Sequence, residues 1–126
     1  MMDLRLDSII IFVEDMARME DFYVGILGLD IVEKIEGEWL LLGAGTTKIG
    51  LHKIGQAYII DSQTDYRLRR NTKLVFQLEH DIFALRKELI AQNVKLKEIM
   101  DWENYDHWVC DGEDPEGNVF QLKARK

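Results

Sequence analysis

The chain has 126 residues, 47% hydrophobic and 31% charged, with a net charge of -7, which gives room for one core and excludes a disordered or two-domain chain. No apolar run approaches a bilayer span and the start Met1-Met2-Asp3-Leu4-Arg5 lacks a secretory-leader pattern, so a cytoplasmic protein with no membrane partner is expected. The acidic balance, with a pI near 4.9, argues against nucleic acid as a partner, and the single cysteine, Cys110, excludes an internal disulfide or a cysteine zinc cluster.

Leu6 to Val13 is a β-branched apolar run that reads as a strand. Asp15 stands where a helix N-cap belongs, and Met16, Met19, Tyr23, Ile26 and Leu27 recur at helical spacing until Gly28 closes the helix. Asp30 to Ile35 returns to strand pattern, Glu36-Gly37 marks a hairpin, and strands follow at Trp39 to Leu42 and Thr47 to Lys53. The segment from 54 to 71 is long and polar, with Tyr58, Tyr66 and the run Arg67-Leu68-Arg69-Arg70. It reads as a loop that is functional or mobile, its charges solvated rather than clamped on an anion.

From Lys73 the plan begins again. A strand from Lys73 to Leu78 precedes Asp81 as N-cap, and Ile82, Leu85, Leu89 and Ile90 form one helical face that Asn93 ends. Strands are expected near Val94 to Met100, His107 to Asp111 and Asn118 to Ala124, the last two joined by the turn Asp114-Pro115-Glu116-Gly117. The order β-α-β-β-β therefore occurs twice, and the expected class is α+β: a single domain of two modules, about 4–53 and 72–126, forming a curved mixed sheet with helices on its outer face.

Strand parity separates two faces. Ile9, Ile11 and Val13, with Leu74, Phe76 and Leu78, are uniformly apolar and belong beneath the helices. The opposite parity is mixed, with Ser8, Ile10 and Phe12, Lys73, Val75 and Gln77, and the last-strand residues Lys48, Gly50 and His52 or Val119, Gln121 and Lys123. A face of this kind suits either a ligand cavity or plain solvent.

Two segments carry a family resemblance. Val13-Glu14-Asp15-Met16 through Phe22-Tyr23 to Leu27-Gly28-Leu29, and Asp114-Pro115-Glu116-Gly117-Asn118-Val119-Phe120-Gln121-Leu122, resemble the opening and closing motifs of the vicinal oxygen chelate superfamily, which includes glyoxalase, bleomycin resistance protein and extradiol dioxygenases. The resemblance covers nearly the whole chain and implies a cavity on the mixed face. Metal-dependent members hold a divalent ion there through His and Glu. Carried over one at a time, those positions fall on Ser8, Gly50, Lys73 and Gln121, none of which is a good ligand for such an ion.

The expectation is accordingly a metal-free, cofactor-free protein that sequesters or carries a small molecule of anionic or aromatic character, leaning away from an enzyme. Ser8, Phe12, Trp39, His52, Lys73, Gln77, Trp108 and Gln121 are its expected ligand contacts, with no catalytic or metal residue among them. Trp39, Trp102, Trp108, Tyr58, Tyr66 and Tyr105 fall outside the helix-facing sets and suit either a planar ligand or core and dimer packing. The resemblance also implies a homodimer. The alternative is a metal-dependent lyase, isomerase or dioxygenase-like enzyme with an atypical ligand set that includes His52 and His107.

Overall fold

Asp15 and Asp81 each satisfy the free N–H groups at the start of a helix. The Asp15 carboxylate accepts from the Arg18 N–H at 3.1 Å, and that of Asp81 from Phe83 and Ala84 at 2.9 and 3.3 Å. A computed structural model describes residues 6–55 and 72–126. From position 56 to 71 the polar segment, with Tyr58, Tyr66 and its arginines, lies outside the described residues. The chain divides into two compact units, Met1–Ser62 and Gln63–Lys126.

In the first unit the order is β1 (Ser8–Val13), α1 (Met16–Glu20) continued by a π-helical turn (Asp21–Ile26), β2 (Asp30–Ile35), β3 (Trp39–Ala44) and β4 (Thr47–Lys53). The sheet runs β1-β4-β3-β2, with β1 parallel to β4 and the other pairs antiparallel. The helix expected to run unbroken to Gly28 widens at Asp21, where Leu27 N–H donates to the Phe22 carbonyl five residues back at 2.9 Å. This wider turn carries the adjacent rings of Phe22 and Tyr23 into the core together, edge to face at 5.0 Å. Gly28 then stops it at φ 77°, its N–H donating to the Val24 carbonyl. Val13, Met19, Leu40, Leu42, Ile49 and Leu51 are buried beside them, each such side chain contributing about 1.5–3 kcal/mol.

The second unit repeats the plan with β5 (Lys73–Leu78), α2 (Ile82–Ala91), β6 (Lys95–Leu96), β7 (His107–Glu113) and β8 (Val119–Arg125), in sheet order β5-β8-β7-β6. Asn93, at φ 65°, ends α2. The strand expected from Val94 to Met100 is shorter, because the pairing slips. Lys97 N–H donates to Asp111 O and Met100 N–H to Val109 O, so three steps on one side oppose two on the other, as in a bulge. The β7–β8 turn is held by Asp114, only 3% exposed, whose carboxylate accepts from the Glu116 and Asn118 N–H groups at 2.9 Å and from Asn118 Nδ2 at 2.7 Å. Two βαβββ modules with mixed sheets make the expected α+β class.

Candidate functional site

On the first sheet, parallel pairing sets Ser8 beside Lys48, Ile10 beside Gly50 and Phe12 beside His52, and antiparallel pairing brings Trp39 beside His52 and Leu41 beside Gly50. All lie on one face, opposite the buried row of Ile49 and Leu51. The rings of Phe12 and His52 meet edge to face at 5.6 Å, and those of Trp39 and His52 at 6.0 Å. Trp39 Nε1 donates to Glu33 Oε1 at 3.1 Å, which lays the indole across Gly50. Ile10 and Phe12 remain 52% and 53% exposed. This is an apolar, aromatic surface open to a partner, since residues of this size are normally covered.

The second sheet is polar at the matching place. Lys73 Nζ donates to Asp111 Oδ2 at 2.8 Å, and Gln121 Nε2 to Asp111 Oδ1 at 2.9 Å. Burial pushes the Asp111 carboxyl up, but the hydrogen bonds from Lys73 and Gln121, with the charges of Lys73 and Lys97, outweigh it and hold it below its usual 3.8. Gln77 and Val75 stand on the same face, both exposed. Beside this cluster is a hollow of about 580 Å³ bordered by Lys73, Lys95, Lys97, Asp111, Glu113 and Val119. Toward Arg125 the face is closed instead: the Tyr105 ring lies 5.6 Å from His107, and both His107 and Val109 are buried.

Of the expected ligand contacts, the structure brings together Ser8, Phe12, Trp39 and His52 on one face of the first sheet and Lys73, Gln77 and Gln121 on one face of the second. Trp108 stands apart from both groups. It pairs with Ala124 on the parity of Cys110 and Gly112, and its ring meets Phe83 of α2 at 5.2 Å, so it packs on the helix side away from Lys73 and Gln121. The residue sequence reasoning missed is Asp111. Alternation along β7 sets Asp111 beside Gln121 and turns Trp108 to the opposite face.

Divalent ions need several deprotonated O or N donors around one point. Ser8 and Gly50 supply a hydroxyl and no side chain, and a β-carbon at Gly50 would stand 2.5 Å from Trp39 Cη2. Lys73 puts an ammonium against the carboxylate of Asp111. Among the described residues no group of three His, Cys, Asp or Glu side chains is arranged to hold an ion. His52 Nδ1 lies 2.9 Å from the Lys53 carbonyl, and His107 Nδ1 2.7 Å from Asp106 Oδ1. The residues present do not fit the family's metal. Burial also pushes the Cys110 thiol up, against its being a nucleophile.

A sequence model of the Glyoxalase/Bleomycin resistance protein/Dioxygenase superfamily matches residues 5–122. No curated protein sequence matches the chain. Among solved structures, TnmS3, an antibiotic binding protein from Streptomyces sp. CB03234, is similar with a TM-score of 0.75 at 20% identity, over 100% of this chain and 99% of that one. The fosfomycin resistance protein FosX from Listeria monocytogenes has a TM-score of 0.77 at 14% identity over 99% and 96%. Lactoylglutathione lyase from Agrobacterium tumefaciens has 0.74 at 16% identity over 95% and 92%. At these identities the likeness is one of fold.

Proposed function

The chain belongs to the Glyoxalase/Bleomycin resistance protein/Dioxygenase superfamily, and from that premise we propose that it binds a small organic molecule without a metal ion, sequestering or carrying it. The observation that carries this reading is the indole of Trp39 lying over Gly50, at a position where the family's metal-dependent members place a ligand to the ion. An ion site is thereby exchanged for an aromatic floor of Phe12, Trp39 and His52, and aromatic faces give stacking area at small entropic cost. The second unit presents a polar set of its own, Lys73 and Gln121 organised by Asp111. An antibiotic binding protein shares the fold, which supports a fold able to hold a small organic molecule. A homodimer in a cytoplasmic setting belongs to the same reading.

The alternative enzyme needs His52 and His107 as ligands to an ion. His52 has aromatic neighbours, Phe12 and Trp39, and His107 is buried against Asp106 and Tyr105, a poor start for an open catalytic ion. Calorimetric titration with Mn²⁺, Fe²⁺, Ni²⁺ and Zn²⁺ tests the metal-free reading. No saturable one-to-one binding is expected. An ion bound one per chain at micromolar affinity or tighter overturns it.

A further inference from the structure

The mixed face of the second sheet is a short grid. One row across it reads Lys73, Val119, Glu113, Lys95 and the next Val75, Gln121, Asp111, Lys97, the first two pairings in each row and Lys95 with Glu113 set by strand register, and Lys97 with Asp111 by its N–H bond to the Asp111 carbonyl. Lys95 and Lys97 are two residues apart, so they project from the same side with α-carbons about 6.5 Å apart. Leu96 between them turns the other way, its Cδ2 lying where a β-carbon on Gly112 would be. Both lysines are exposed and neither makes an ion pair among the described residues, whereas Lys73 is engaged by Asp111. The hollow of about 580 Å³ is bordered by these two and Lys73 on the cationic side and by Asp111 and Glu113 on the anionic side. It is net positive in a chain of net charge -7.

Cations that make no ion pair among the described residues, gathered in a concavity of an acidic protein, suit an anion. The overall field repels anions, so an anion settles only where local charge outweighs it. Two long, flexible lysine stems can close on one group of oxygens as charge-assisted donors. Asp111, itself held by Gln121, keeps Lys73 in place at the border, which fixes one wall of the hollow before any ligand arrives.

We propose that this hollow binds a doubly charged oxyanion on a small molecule, gripped by Lys95 and Lys97 with Lys73 at its edge. The inference rests on reading the second sheet as a ligand-binding surface and adds the class of group it takes. Phosphate and a pair of carboxylates share this chemistry. Calorimetric titration of the full chain with inorganic phosphate and, separately, with malonate distinguishes them. One of the two binds saturably, one per chain, with the tighter naming the class. The double variant Lys95→Gln/Lys97→Gln weakens it about ten- to a hundredfold, the scale of two charge-assisted contacts, and Lys87→Gln on α2 leaves it unchanged. Thermal melts check that the surface variants remain folded. Binding of neither anion, or undiminished affinity in the double variant, overturns the proposal. Failure of the metal-free reading shows differently, as a stoichiometric ion.

Discussion

A β-carbon built on Gly50 would stand 2.5 Å from Cη2 and 2.9 Å from Cζ3 of the Trp39 indole, and 3.2 Å from Ile10 Cγ1. The ring is tied to Glu33 and packs on its own sheet, so it gives way only by breaking those contacts. Gly50→Ala is therefore expected to destabilise the protein by about 1–3 kcal/mol through overpacking. Combining it with Trp39→Leu, which vacates the space, recovers part of the loss as a coupling of about 1 kcal/mol. Urea denaturation of the singles and the double measures this. Strict additivity would mean that the indole does not occupy the glycine's side-chain space.

Asp111 gives a dependence on pH whose sign is determined. Its folded pKa lies below the usual 3.8, despite burial, because of Lys73 and Gln121. The unfolded chain therefore takes up the proton first, so the stabilisation is complete above 3.8 and is lost as pH falls through the lower folded value. Asp111→Asn should lower stability at neutral pH and converge toward the native protein in acid. Asp7 and Asp106 shift in the same direction, held down by Lys48 and His107 respectively, and comparison with the Asn variant separates their share. Equal gaps at both pH values would contradict the assignment.

Much of the fold was legible because local chemistry dictates it. Asp15 and Asp81 cap helices in any context, Gly28 accepts a positive φ, and the Asp114–Gly117 turn follows from its own residues. Parity of the first and last strands correctly grouped Ser8 with Phe12 and Lys73 with Gln77. What escaped depends on pairing between strands. Asp111 joins Lys73 and Gln121 only through the β7–β8 register, and Trp108 turns to α2 by the same register. The π-helical turn and the slip after Leu96 come from packing demands, such as admitting both Phe22 and Tyr23 to the core, that no local pattern announces.

Asp114 is nearly fully buried and accepts three hydrogen bonds from Glu116 and Asn118. Asp114→Ala strands these donors, at about 1–3 kcal/mol for each buried group left unpaired, so a marked drop in melting temperature is expected. Asp114→Asn, which keeps one acceptor, should fall between. An unchanged melting temperature for the alanine variant would show that water replaces the carboxylate.

The aromatic floor predicts an asymmetry. Phe12 is half exposed while Leu51, on the other side of the first sheet, is fully buried. Phe12→Ser is expected to cost no more than about 0.5 kcal/mol, as for a surface change, whereas Leu51→Ala costs about 2–5 kcal/mol. Chemical denaturation compares them. A loss for Phe12→Ser on the scale of Leu51→Ala would make that face part of the core rather than a binding surface.

Native mass spectrometry of the protein isolated without added metal weighs whatever the chain carries. The account predicts one small organic adduct per chain, absent or reduced in Trp39→Ala, and no divalent ion. A stoichiometric Mn, Fe, Ni or Zn ion, or an adduct retained undiminished by Trp39→Ala, would contradict it.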